Sequence, residues 1–113
     1  MQTQINKVEL LGTVGQITTQ NFNGIIISTF SLVTNRCYKS KGGMPVIEST
    51  WHRITAYEDR IAGDLSKGTY ARVQGSLRNC NYIDREGNKV KGIEVFADSV
   101  EVIKEDAEYE QGN

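Results

Sequence analysis

Residues 50–57 read TWHRITAY and hold the chain's only Trp and only His beside an Arg. The β-branched and aromatic content marks the stretch as a strand. Side chains alternate along a strand, so Trp51, Arg53, Thr55 and Tyr57 share one face while His52, Ile54 and Ala56 share the other. Ile54 and Ala56 form the apolar set and must point to a core. Trp51, Arg53 and Tyr57 are thereby left toward water, and a strand that only packs has no use for two aromatic rings there.

Working outward, 113 residues fit one domain with a single core. At 38% hydrophobic and 24% charged residues the composition is that of a globular chain, neither disordered nor fibrous. No apolar run approaches the roughly 18 to 20 residues of a membrane span, and MQTQINK lacks a secretory apolar stretch, so a cytoplasmic protein is expected. The formal net charge of −1 conceals an uneven distribution. Glu105, Asp106, Glu108 and Glu110 crowd the C-terminus, leaving residues 1–103 with 12 basic and 10 acidic side chains, a balance of +2. For a phosphate-bearing partner, where the basic groups sit matters more than their sum.

The opening NKVELLGTVGQ is an apolar strand interrupted by Gly12 and Gly15, the mark of a sharp bend or bulge. A turn-rich stretch, TTQNFNG, precedes the long strand IIISTFSLVTNRCY, and KSKGGMPV forms a hairpin tip with two lysines. After TWHRITAY the spacing changes. In EDRIAGDLSKG, Ile61 and Leu65 stand four apart, acids fill the first turn and Lys67-Gly68 suits a C-cap, which predicts a short helix. TYARVQGSLRNCNYI is a fourth strand with Ala71, Val73, Gly75 and Leu77 inward; DREGNK is the second hairpin tip and GIEVFADSVEVI the return strand. This order predicts an all-β, five-stranded OB-fold barrel with one short helix between strands three and four; SH3-like barrels of similar size lack that helix. The barrel is expected over residues 1–103, with residues 104–113 a short acidic, disordered tail.

The inward set of the fourth strand leaves Arg72, Gln74, Arg78 and Tyr82 outside. Two strands thus expose aromatics interleaved with arginines. That is what a single-stranded nucleic-acid groove requires: rings that stack unpaired bases at roughly 1 to 3 kcal/mol each, and basic groups that follow the phosphates. The alternative, a loop or subunit covering the rings, explains one such strand better than two. Arg36, Tyr38, Lys39 and Lys41 at the first hairpin add to the same pattern.

The pieces NKVELLGTVGQ, FSLVTN, TWHRITAY, KGTYARVQGSLRN and NYIDREG together resemble the bacterial single-stranded DNA-binding protein family, from about Asn6 to Ile103. The most specific are N-K-V-x-L-x-G-x-x-G, W-H-R and K-G-x-x-x-x-V-x-G-x-L-R. The resemblance implies an OB-fold subunit of a homotetramer that wraps single-stranded DNA with little sequence preference, in replication, recombination and repair at the nucleoid. It implies base stacking by Tyr38, Trp51, Tyr57 and Tyr82, of which only Tyr38 does not also follow from face counting. Phosphate contacts are expected from Arg36, Lys39, Lys41, Arg53, Arg72, Arg78 and Arg85. The resemblance places His52 at the subunit interface, whereas the residue by itself fits a half-buried His with a local hydrogen bond. At the reference pKa of about 6.5, an interface His would weaken assembly at mildly acidic pH. Two departures stand out. Three of the four stacking positions are Tyr, a smaller platform than Trp, and EDAEYEQGN has the family's acids without its closing Pro-Phe, so recruitment of replication and repair proteins by the usual mode is not expected.

No enzyme is expected. Cys37, Cys80 and His52 are the only nucleophile or base candidates, in no nucleophile motif, although Cys80 shares the face of Tyr82. Two cysteines without ligand spacing and a single His do not supply a four-ligand zinc site, and no metal or cofactor is expected. The rival function is an adaptor of the primosomal type on the same barrel, usually dimeric; an OB scaffold for RNA or protein is a further alternative.

Overall fold

Asn23-Gly24 sets the first hairpin in the computed structural model, which describes residues 1–104. Both residues sit at positive φ, 53° and 89°, as a two-residue hairpin loop requires. Strands β1 (Val8–Phe22) and β2 (Ile25–Lys39) therefore pair antiparallel up to Phe22↔Ile25. The polar stretch before Asn23, expected as turn, is strand, because this loop needs only two residues. Within β1 the register jumps from Val14↔Leu32 to Ile17↔Phe30, so Gly15-Gln16 form the expected bulge, and Gln16 N–H donates to Ser31 Oγ at 3.0 Å.

Strand β3 (Pro45–Tyr57) pairs with β2 along its whole length, from Lys39↔Pro45 to Ile27↔Tyr57. The chain then departs from expectation. In place of the short helix stands a single 3-10 turn, Glu58–Arg60, followed by the two-residue strand β4 (Ile61–Ala62), parallel to β6 (Lys89–Ile103). Gly63 adopts φ 101°, which no right-handed helix accommodates, and a Cβ on it would lie 2.8 Å from Val102 Cβ. The backbone hugs β6 instead of coiling. Ile61 and Leu65, whose spacing suggested a helix, still pack on the core from this irregular segment.

Strand β5 (Tyr70–Ile83) lies between β1 and β6, antiparallel to both. A short parallel seam, Ile54↔Val95 and Thr55↔Phe96, joins β3 to β6 and closes the sheet. Order β3-β2-β1-β5-β6 with that closure is the five-stranded OB barrel. Val14, Phe30, Leu32, Ile54, Ala56, Ala71, Val73, Val95, Ala97 and Val100 fill it. Leu77, expected inside, is 46% exposed. The last β1–β5 pair is Val8↔Gly75, so Leu77 lies at the rim without a β1 neighbour. Asn6 fastens that rim: its Nδ2 donates to Leu77 O at 2.7 Å and its Oδ1 accepts from Leu77 N–H at 2.8 Å. Of the tail expected over residues 104–113, residues 105–113 lie outside the described residues.

Candidate nucleic-acid interface

Directly paired residues share a face, so the β2–β3–β6–β5 registers join Trp51, Arg53, Thr55 and Tyr57 to Glu94 and Phe96 on β6 and to Arg78, Cys80 and Tyr82 on β5. Trp51, 61% exposed, lies against Gly15 at the bulge: a Cβ there would come within 2.8 Å of the indole. Tyr57 meets Phe96 edge to face at 5.7 Å between centroids, and the Arg78 guanidinium lies 4.0 Å over the other ring, Phe96. Tyr82 lies across Gly92, where a Cβ would stand 2.8 Å from Cε1, and Arg53 sits 5.8 Å from the Tyr82 ring centroid. The expected stacking residues Trp51, Tyr57 and Tyr82 thus occupy one continuous face.

Glu94 sits in the middle of that face and is 6% exposed. Its Oε2 accepts from Arg78 Nε at 2.7 Å; its Oε1 accepts from Thr55 Oγ1 at 2.9 Å and pairs with Arg53 Nε at 3.5 Å. Thr55, outward by strand parity, is nonetheless buried, its hydroxyl bonded to that carboxylate. Glu94 and Phe96, absent from the sequence expectations, lie on the return strand rather than on the two strands that carry Trp51, Tyr57 and Tyr82. The same period of two on the return strand marks both.

Tyr38 stands apart. By strand parity Tyr38 and Arg36 continue the face of Thr34 and His52, whereas Cys37 and Ile47 continue that of Trp51. Arg36 covers the Tyr38 ring at 5.2 Å and pairs with Glu48 at 3.6 Å. Arg72 lies six residues along β5 from Arg78, roughly 20 Å at strand rise, on the β1 flank, where its Nη1 donates to Glu9 Oε2 at 3.2 Å. Hydrogen bonds from Gln74 and then Arg72 hold the Glu9 carboxyl below the usual range. Of the seven expected phosphate contacts, Lys39, Lys41 and Arg85 have no carboxylate partner among the described residues. Arg85 stands at the tip of the second hairpin, where Asp84 Oδ1 accepts from Glu86 and Asn88 N–H.

A shallow pocket beside Trp51 is lined by Gln16, Thr18, Thr29, Ser31 and Arg53. A larger cleft beside Tyr57 is bordered by Glu58 and Asp59, which oppose a phosphate. His52 is half-buried, its Nε2 2.9 Å from Thr34 Oγ1, and burial lowers its pKa. Cys37 and Cys80 are both free thiols. Among the described residues no group of His, Cys, Asp or Glu is arranged to hold a metal ion, and no helix is long and apolar enough to cross a membrane.

Residues 5–103 match the profile of the Single-strand binding protein family. The chain belongs to that family. Its members bind DNA without catalysing a reaction, in accord with the expectation from the sequence. The mitochondrial single-stranded DNA-binding protein of Danio rerio is 29% identical, over 93% of this chain and 80% of the relative. The single-stranded DNA-binding protein of Xylella fastidiosa is 31% identical over 91% of this chain, and single-stranded DNA-binding protein A of Bacillus subtilis 30% over 88%. The chain spans 66% and 60% of the length of those two bacterial relatives. Among solved structures, the Plasmodium falciparum SSB complex with ssDNA superposes with a TM-score of 0.71 at 25% identity, covering 92% of this chain and 99% of that one. A Thermus aquaticus single-stranded DNA-binding protein shares the fold at a TM-score of 0.70 and 22% identity, covering 89% and 51% of the two chains.

Proposed function

We propose that this chain binds single-stranded DNA without sequence preference, residues 1–103 forming the binding domain, and protects and wraps the strand during replication, recombination and repair. The observation that carries the reading is the continuous face on which Trp51, Tyr57 and Tyr82 alternate with the guanidiniums of Arg53 and Arg78. Bases stack on the rings, and the phosphates run toward Lys39, Lys41 and Arg85. Tyr38 and Arg36 lie on the reverse of the β2–β3 hairpin, so a strand that reaches them crosses the hairpin edge. That path favours wrapping over a straight track. Arg72, at the flank, meets the strand only on such a wrapped path.

The working unit is proposed as a homotetramer, with His52 near a subunit contact. Exposed Ile5, Leu77 and Ile93 supply apolar surface for assembly. Native mass measurement decides: a dimer points instead to the adaptor role. The place of action is the cytoplasm, at the nucleoid, as for a bacterial member. Oligo-dT quenching of Trp51 fluorescence, saturating at a few tens of nucleotides per oligomer, tests the function. Absence of quenching at low salt refutes it.

A further inference from the structure

We propose that Glu94 is a positioning residue for the strand, holding two guanidiniums as fixed platforms for bases; this deepens the single-stranded DNA-binding function and rests on it. A carboxylate in the centre of a face for a polyanion is electrostatically unfavourable, and with Arg53 and Arg78 it reduces a local charge of +2 to +1. Burial of that carboxylate, 6% exposed, adds a desolvation cost that only good pairing offsets. Charge therefore gives no reason for Glu94 to be there. Geometry does.

Both ion pairs use Nε: Arg78 at 2.7 Å and Arg53 at 3.5 Å, with side chains 48% and 45% exposed. Neither guanidinium's Nη groups make a hydrogen bond among the described residues, so each outer edge remains available to a ligand. The carboxylate is fixed in turn by Thr55 Oγ1 at 2.9 Å, with Thr29 Oγ1 3.4 Å beyond. Arg78 is held over Phe96 at 4.0 Å and Arg53 beside Tyr82 at 5.8 Å. A planar guanidinium stacks on π-faces, as an ammonium does not. Rings and guanidiniums thus form one row of flat surfaces whose side-chain order is present before the DNA arrives, and pre-ordering lowers the cost of binding. Arg53 and Arg78 serve bases first and phosphates second.

The test is a salt-dependent oligo-dT titration of the full-length chain and the variants Glu94→Gln, Arg53→Lys and Arg78→Lys, with thermal midpoints measured alongside. Wild-type protein that fails to bind overturns the function itself; with wild-type binding intact, the variants judge Glu94. Glu94→Gln, which removes a negative charge, is expected to weaken binding about tenfold, the scale of ordering two long side chains. The two Lys variants keep the charge and are expected to bind about fivefold more weakly with the log–log salt slope unchanged. Glu94→Gln that binds as wild type or tighter, with the slope steeper by about 0.7 if charge alone matters, overturns the proposal. So do Lys variants that bind as wild type. Should Glu94→Gln fail to fold, the two Lys variants, on half-exposed side chains, decide alone.

Discussion

Gly92→Val separates the binding face from the barrel that carries it. The Tyr82 ring lies so close over residue 92 that a Cβ would stand 2.8 Å from Cε1 and 3.6 Å from Cys80 Sγ. Carbon atoms rest at about 3.5 to 4.0 Å, so the ring must move by about 1 Å for the first methyl and further for a branched side chain. Tyr82 is 40% exposed and moves without opening the core. Stability therefore changes by less than about 1 kcal/mol, and a β-branched residue suits the strand. Affinity suffers more: displacing one stacking platform costs roughly 1 to 3 kcal/mol, or about five- to 150-fold. Quenching of Trp51, which lies on another strand, reads the loss. Because Gly92 acts through the ring above it, Gly92→Val in a Tyr82→Ala background is expected to add nothing. A double variant with both losses summed, or a Gly92→Val chain that binds as wild type, refutes the role given to Tyr82.

Trp51→Ala should weaken binding by roughly 1 to 3 kcal/mol, measured by anisotropy of a labelled oligonucleotide because the reporter is gone. Arg85→Ala, at a cation without a carboxylate partner among the described residues, should lower the log–log salt slope by about 0.7 per phosphate; an unchanged slope places the second hairpin tip off the DNA path. Asn6→Ala loses both bonds to Leu77 and should cost about 1 to 2 kcal/mol in thermal stability with DNA affinity intact. Burial lowers the pKa of His52, so the unfolded chain takes up the proton first as pH falls through about 6.5. Stability is then lost from that pH downward until the folded His also titrates, and His52→Gln should flatten this part of the Tm–pH curve. A wild-type Tm that rises on acidification contradicts the assignment.

The strands were legible because alternation on a closed sheet leaves a strong imprint: Ile54 and Ala56 against Trp51 and Arg53 settled the facing of β3. The segment after Tyr57 was not. Ile61 and Leu65 at helical spacing bury equally well from an irregular path, and nothing local to the sequence says that Gly63 lies against Val102. Leu77 was misplaced for a related reason, since period two tells which face a residue takes but not where the neighbouring strand ends. For the binding face, alternation located the outward aromatics on β3 and β5. It could not reveal that Arg53 and Arg78 meet on one buried carboxylate, because that requires the β3–β6 closure, a pairing between residues about 40 positions apart.

That closure has a consequence for motion. The backbone pairing of β3 with β6 comprises two residue pairs, Ile54↔Val95 and Thr55↔Phe96, while β5 and β6 are zipped along 14. Local opening takes the route with least to break, so amides around the seam should exchange with solvent through smaller fluctuations than those of the β5–β6 ladder. The Thr55–Glu94 bond and the Arg53–Glu94 pair bridge the same seam from outside, directly under the proposed path of the strand. A nucleic acid laid across it acts as a staple over this short join. Slowed hydrogen exchange at Thr55 and Phe96, the pair that closes the seam, would then register occupancy of the groove as a quieting of the barrel itself.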